Sequence, residues 1–387
     1  MANYQVIWKG PVDRASGLGL ASREYALALA RQGVDIKIET TSKRSPMILK
    51  NPTLAFLIRK PYARNKRKIL IYHHSPNTIN MTKARKRFHY MILNIVWETT
   101  KIPKQWMSNI NKFDAICVPS WQNRRALLSS GVKVPIFIVP HGVQWNAFVP
   151  WNKKLSVRGT YGKFNFVSVF GFQHRKNPET LLRAFWEEFS QKDKVALVIR
   201  TKGYQSYETV NWIRQKILNY RKKLKVKPNR APVIVLPKYM STGQLKGLYR
   251  LGNAFVLPTR GEGVCLPFLE ALSSGVPVIA TAWGGHMDFL KARNSFLVKY
   301  QLRNPAISMN SKHAIARPFR YLFAQKGQLW AEPDIKSLKR EMRKAYNSPA
   351  LCRIKGAQGR RDVQRFNWNR AGILFKHVIY KVIKGSK

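Results

Sequence analysis

Acidic side chains are scarce in this sequence: 18 aspartates and glutamates stand against 70 lysines and arginines, a formal net charge of +52. Self-repulsion on that scale opposes the compact state. A polyanionic partner is therefore expected, either nucleic acid, an anionic membrane surface or an acidic glycan, and composition does not choose among them. A lysine-rich surface that is merely solvated is the plainer alternative. Cysteine is nearly absent. Cys117, Cys265 and Cys352 are odd in number, far apart and lack a C-x-x-C pair, which speaks against a disulfide framework and a zinc site. No apolar run is long enough to span a bilayer, and MANYQVIWKG reads as neither a signal nor a transit peptide. A cytoplasmic protein is expected, at most peripheral at a membrane surface. Internal repeats and low-complexity tracts are also missing.

What is present fits a two-domain α/β protein. With 387 residues, 45% of them hydrophobic, the chain exceeds one ordinary core and can bury two. YQVIWKG (4 to 10), the amphipathic ASREYALALARQG (21 to 33) and VDIKIET (34 to 40) read as one strand, helix and strand unit. KILIYHH (68 to 74), FDAICVPS (113 to 120) and VPIFIVPHG (134 to 142) continue as buried strands. The first domain is expected to end near Trp151, giving 1–151. A second domain, 152–365, opens on FNFVSVFGF (164 to 172), a helix from Pro178 to Phe189 and KVALVIRTKG (194 to 203). A last helix starts near Trp368, within 366–387. The charge is uneven as well. Thr40 to Trp97 holds no acid and thirteen basic residues, and Thr209 to Gly261 is acid-free too.

The most informative stretch is GEGVCLPFLEALSSGVPVIATAWGG (261 to 285). NAFVLPTR (253 to 260) before it has strand character, PFLEALSSG (267 to 275) is helical with a glycine stop, VPVIAT (276 to 281) is another buried strand, and WGGHMDFL (283 to 290) suggests a further helix. A glycine-rich turn leaves backbone N–H groups uncovered, and the helix behind it adds the positive end of its dipole, so an anionic phosphate can be held there. Two glutamates, Glu262 and Glu270, sit at this turn in an acid-poor chain. Gly17 and Gly19 form a second glycine turn after the first strand, where the backbone can approach a diphosphate or simply turn.

Glu262 to Glu270 resembles the E-x7-E motif of retaining GT-B glycosyltransferases, and its surroundings look like glycosyltransferase family 4. SGLGLASREYALALARQG (16 to 33), WETTKIPKQWMSNINKFDAICVPSWQNRRALLSSGVKVPIFIVPHGV (97 to 143), FGFQHRKNPETLLRAFWEEF (170 to 189) and WAEPDIKSLKREMRKAY (330 to 346) also resemble family segments, in the family's order. The resemblance implies two Rossmann-like doubly wound domains facing each other across a cleft, with the acceptor on the N-terminal domain, a nucleotide sugar on the C-terminal one, and the final helix crossing back. It implies that Lys176 contacts the donor diphosphate, Glu262 the transferred sugar near the reacting carbon, and Glu270 the ribose hydroxyls. The N–H groups around Gly263, Val264, Cys265 and Leu266 would complete the phosphate site, and Gly17 and Gly19 would face the donor phosphates. Many family members carry an arginine right after the strand-end glycine. Phe172 stands there, and Arg175 is the expected replacement.

The chain has no Asp-x-Asp pair, so neither a metal nor any other cofactor is expected beyond the nucleotide-sugar donor, and cations and amide dipoles must stabilise the leaving phosphate. His73 and His74, after a strand, are candidates for contacting donor sugar or acceptor; idle turn histidines are the alternative. Glu98, in WETT, suits either an acceptor-side position or a salt bridge. The expected activity is a retaining, metal-independent transfer of a hexose to a hydroxyl of a polyanionic acceptor. A GT-B sugar-nucleotide epimerase is the first alternative. A non-catalytic basic nucleic-acid-binding protein is the second, although neither zinc-finger spacing nor an aromatic ribonucleoprotein motif is present.

Overall fold

The computed structural model describes residues 3–41, 51–236 and 239–385. Residues 42–50 of the first acid-free stretch and 237–238 of the second lie outside the described residues. The chain divides into two units: Met1–Val143 with Phe366–Lys387, and Gln144–Arg365. This division falls ahead of the boundary expected near Trp151. The reason is local. Phe148 accepts hydrogen bonds from Ser273 Oγ (3.0 Å) and Arg360 Nη1 (3.0 Å), which ties the segment after Val143 to the second unit.

The first unit holds a parallel sheet of β1 (Tyr4–Gly10), β2 (Ile36–Thr40), β3 (Arg67–Tyr72), β4 (Tyr90–Asn94), β5 (Ala115–Val118) and β6 (Ile136–Ile138), in the order β2-β1-β3-β4-β5-β6. Its strands read as continuous apolar runs because both faces are covered, as in parallel sheets generally. Val6, Ile7 and Trp8 are fully buried. The helix Gly17–Arg31 follows β1. It begins earlier than expected, because Ser16 caps it by accepting from Gly19 N at 3.2 Å. Gly17 and Gly19 therefore belong to the first helical turn and not to a loop before it. A Cβ on Gly19 would lie 2.1 Å from Arg14 O, so the chain before the helix can pass only a glycine. The helix Trp368–Lys384 packs on Gly17–Arg31 within the same unit, Gly372 meeting the Ala28 backbone and Phe375 the rings of Trp8 and Tyr25.

The second unit repeats the plan with β7 (Phe164–Gly171), β8 (Val195–Lys202), β9 (Val233–Leu236), β10 (Ala254–Leu257), β11 (Val278–Thr281) and β12 (Ser295–Val298), in the parallel order β12-β11-β10-β7-β8-β9. The further helix expected from 283 is only a 3-10 turn, Gly285–Asp288. Gly284 enters it at φ 130, and Asn294 Nδ2 closes the chain back onto Phe289 O at 2.9 Å, which leaves no room for more turns.

In both sheets the strand order reverses beside the first strand, between β1 and β3 in one and between β7 and β10 in the other. Doubly wound sheets take ligands just beyond the carboxyl ends of strands at such reversals.

Candidate functional site

The turn His174–Lys176 follows β7, and the loop from Pro258 to Cys265 follows β10, so both emerge at the reversal of the second sheet. Asn177 adopts left-handed backbone (φ 59, ψ 52), which asparagine tolerates. Its side chain caps the helix Pro178–Glu188 and donates to Pro258 O at 3.0 Å, joining the two loops. The turn thereby directs two cations at one carboxylate. Lys176 Nζ lies 2.5 Å from Glu262 Oε1 and Arg175 Nη1 lies 3.2 Å from Glu262 Oε2. Thr259 Oγ1 is within 3.0 Å of Oε1. Arg175 also donates to Gly261 O.

Glu262 is 4% exposed. Burial pushes its pKa up, but the charges of Lys176 and Arg175 outweigh burial and hold it at about 2. Its ordinary value is 4.5. A depressed carboxylate stabilises the fold fully above its unfolded pKa and loses that contribution as pH falls through the folded one. About 3 kcal/mol should therefore disappear between pH 4.5 and 2. Denaturant unfolding of the protein and of Glu262→Gln at pH 5 and pH 2.5 checks this: the stability gap between them should narrow on acidification, and a constant gap speaks against the ion pair.

A second layer holds the turn. Arg260 places Nε 2.9 Å from each Glu332 oxygen, and Nη1 2.9 Å from Glu179 Oε1 and 2.5 Å from His174 O. His174 Nδ1 lies 2.8 Å from the same Glu179 oxygen. Against burial, Arg260 and His174 keep the Glu179 carboxyl below its usual range. Phe172, at the position where the family resemblance implies an arginine, is core: 1% exposed, edge-on to Trp212 at 6.0 Å.

Behind Glu262, the helix Leu266–Ser273 starts after Cys265, which has left-handed backbone (φ 66) and supplies no side-chain cap. The first N–H groups of this helix are thus not covered by a capping side chain, the condition for anion binding at its dipole. Glu270 lies one turn further on. Burial raises it to about 7, partly offset by the Tyr249 hydroxyl, which donates to Glu270 Oε2 at 2.6 Å, and by Arg200.

The reversal of the first sheet carries the other candidates. Gly17 and Gly19 follow β1, while His73 and His74 follow β3. His73 is 2% exposed, lies edge-on to Trp8 at 5.5 Å, and has a buried Nδ1 without a hydrogen-bond partner. Burial first, then His141 and His74, lower it to about 3, so it is a neutral imidazole near pH 7. His74 is half-buried, with Nδ1 2.9 Å from Thr78 Oγ1. The structure thus brings Arg175, Lys176 and Glu262 into contact, sets Gly263, Val264, Cys265, Leu266 and Glu270 along the adjoining helix start, and gathers Gly17, Gly19, His73 and His74 at the equivalent place in the other unit.

Thr259, Arg260, Glu179, His174 and Tyr249 escape a reading of the sequence. The faint signals are an arginine immediately before GEG and an acid in the first turn after Asn177. Among the described residues, no group of three or more His, Cys, Asp or Glu is placed to hold a metal ion, and no helix is long and apolar enough to cross a membrane.

Residues 163–307 match the family model described as Glycosyl transferases group 1. Sucrose-phosphate synthase 4 of Arabidopsis thaliana is 28% identical over 184 residues, which is 46% of this chain and 16% of that relative's length. The chain therefore spans a minor part of such relatives. Among solved structures, sucrose-phosphate synthase from Thermosynechococcus elongatus superposes with a TM-score of 0.69 at 16% identity, covering 99% of this chain and 100% of its own. An Anabaena protein solved with UDP and glucose gives 0.64 at 11% identity, covering 98% and 100%. At these identities the likeness concerns the fold, which is that of the GT-B glycosyltransferases.

Proposed function

We propose that this chain, a GT-B protein whose residues 163–307 are a glycosyl transferases group 1 domain, moves a sugar from a nucleoside diphosphate sugar to an acceptor hydroxyl, with retention and without a metal. The observation that carries the reading is the buried contact of Lys176 and Arg175 with Glu262 at the sheet reversal. Two cations and a helix start at one carboxylate suit a site whose business is a diphosphate. The donor's phosphates take over Lys176 and Arg175 and the N–H groups from Gly263 to Leu266. Glu262, still held by Thr259, then accepts a hydrogen bond from a hydroxyl of the transferred sugar. The bond from the anomeric carbon to the phosphate oxygen breaks, the acceptor oxygen bonds to that carbon on the same face, and its proton goes to the departing phosphate. No separate general base is required. His73, neutral and with one unpartnered ring nitrogen, is a contact for donor sugar or acceptor; His74 is a weaker one.

A panel of nucleotide sugars tested by thermal shift, followed by mass analysis of an acceptor pool, tests the whole reading, because a ligand of the native state raises its melting temperature. No shift by any of them removes it. Isomerised or hydrolysed donor in the absence of acceptor would point to the epimerase instead.

Glu270 provides a sharper check. Its carboxyl is raised to about 7 by burial, and ribose hydroxyls donate to the ionised form. Binding of UDP should therefore release a proton, and UDP affinity should rise with pH between 6 and 8 by several-fold. Glu270→Gln should flatten the part of that rise not due to the phosphate itself. Identical pH profiles for the two proteins would exclude the ribose contact.

The acceptor is proposed to be polyanionic, and the first unit to bind it. Part of the basic stretch is neutralised internally, since Lys60 and Lys66 pair with Asp35, Arg85 with Asp114 and Arg87 with Glu39. Arg59, Arg64, Arg67, Lys68, Lys83 and Lys86 form no ion pair among the described residues and remain for a partner. Affinity for duplex DNA that falls steeply with salt, without affinity for anionic vesicles, favours a nucleic acid acceptor. Selective vesicle binding favours a lipid or glycan at an anionic membrane.

A further inference from the structure

The strands of the second unit have another end. Opposite the Glu262 loop, at the amino ends of β7, β10 and β11, lies a pocket of about 670 Å³. That volume is typical of small-molecule sites. Its walls are fixed by close backbone contacts. A Cβ on Gly247 would lie 2.8 Å from Lys153 O, and one on Gly356 only 2.0 Å from Gly275 O, so glycine is what lets the 153–155 segment and the helix Pro349–Val363 close on the pocket. Leu155 N donates to Gly247 O at 2.9 Å.

The lining chemistry is one-sided. Lys154, Lys163, Arg250 and Arg353 line the pocket, no aspartate or glutamate does, and none of these four cations forms an ion pair among the described residues. Most exposed cations of a strongly basic protein would be unremarkable in this respect. Here four of them line one pocket, and one of the four also carries an unmatched buried atom. Arg250 Nε is buried without a hydrogen-bond partner, and burial lowers the pKa of this arginine with no acid nearby to offset it. Unmatched buried groups are rare in folded proteins and ask for a partner. A guanidinium without a counterion asks for an anion.

We infer that this pocket is a second binding site, separate from the donor site, for a small phosphate ester with at least two negative charges. Lys154, Lys163, Arg250 and Arg353 take the phosphates, with the Arg250 and Arg353 guanidinium groups able to engage an anion through paired N–H groups. The site stands at the opposite end of the strands from Lys176 and Glu262, and the inference does not rest on the sugar-transfer reading.

Calorimetric titration of the full chain with fructose 1,6-bisphosphate, with inorganic phosphate as comparison, tests it. The expected result is saturable one-to-one binding, at least several-fold tighter for the bisphosphate. Loss of one charged contact should weaken it about tenfold in Arg250→Gln and in the solvent-exposed Arg353→Gln, at unchanged melting temperature. Binding should persist in Lys176→Ala. Should Arg250→Gln fail to fold, Arg353→Gln alone decides. No saturable binding, binding equal in the arginine variants and the parent, or binding lost in Lys176→Ala would each overturn the proposal. The last of these outcomes would mean that the bisphosphate occupies the donor site, and would leave the sugar-transfer reading intact.

Discussion

On the proposed function, replacing Glu262 by glutamine should lower sugar transfer by about 100- to 1000-fold, while the protein should still fold and still bind nucleoside diphosphate. The size follows from what one preorganised electrostatic contact at a reacting centre is typically worth. The carboxylate is buried, ionised and anchored by Lys176, Arg175 and Thr259, so it cannot swing to another position or be replaced by water. Glutamine keeps the shape and the hydrogen bond from Thr259 but removes the charge. Lys176 and Arg175 then lack their counterion until the diphosphate arrives. The melting temperature of the free protein should therefore fall, and more of it should be recovered on adding UDP than in the parent. Steady-state transfer measured beside UDP titration separates the outcomes. A protein that only binds nucleic acid would show no functional change at all, and unaltered turnover in Glu262→Gln would defeat the assignment of this carboxylate to the sugar.

The second large effect is expected from Lys176→Ala. On the proposed function, removing the ammonium takes one of the two cations from the leaving phosphate, so kcat should fall by about 100-fold or more, with nucleoside diphosphate binding weakened as well. Arg175 remains, which keeps the loss short of complete. Lys176→Arg should recover only part of the activity, because a planar guanidinium does not reproduce a compact point charge. The alanine variant has a separate signature that does not need substrate. Glu262 loses its nearer cation, so its carboxyl should titrate higher and the acid unfolding midpoint should move to higher pH. Full activity in Lys176→Ala would place the diphosphate elsewhere, whereas an unmoved acid midpoint would contradict the 2.5 Å contact itself.

A good deal of this was legible in the chain. Parallel strands buried on both faces announce themselves as unbroken apolar runs, as at Phe164–Gly171 and Val195–Lys202, where the expected bounds hold to within a residue or so. The Glu262 to Glu270 spacing and the glycines around it locate the turn without coordinates. Where structure and sequence pattern differ, local detail decides. Gly17 and Gly19 read as a loop because glycine disfavours helix interiors, yet Ser16 caps a helix that starts on them. WGGHMDFL reads as a helix, and the Gly284 backbone together with the closing bond from Asn294 stops it after one turn.

The sequence by itself determined the alternation of strands and helices, the charge imbalance and the presence of a carboxylate at a glycine-rich helix start, because each of these depends on neighbouring residues alone. Tertiary structure decided that Lys176 meets Glu262 across 86 positions, and that Arg260 grips both Glu179 and Glu332 behind them. The meetings of Lys176 with Glu262 and of Arg260 with Glu179 exist because β7 pairs with β10, a choice of strand order made by packing two sheet faces and not by any local preference, while Glu332 arrives on a separate strand, Trp330–Pro333. Tertiary structure also decided the charge states. Glu262 and Glu270 are the same residue type eight positions apart, yet one is driven to about 2 by cations and the other to about 7 by burial, since a pKa is set by the dielectric and the charges that folding gathers around a group.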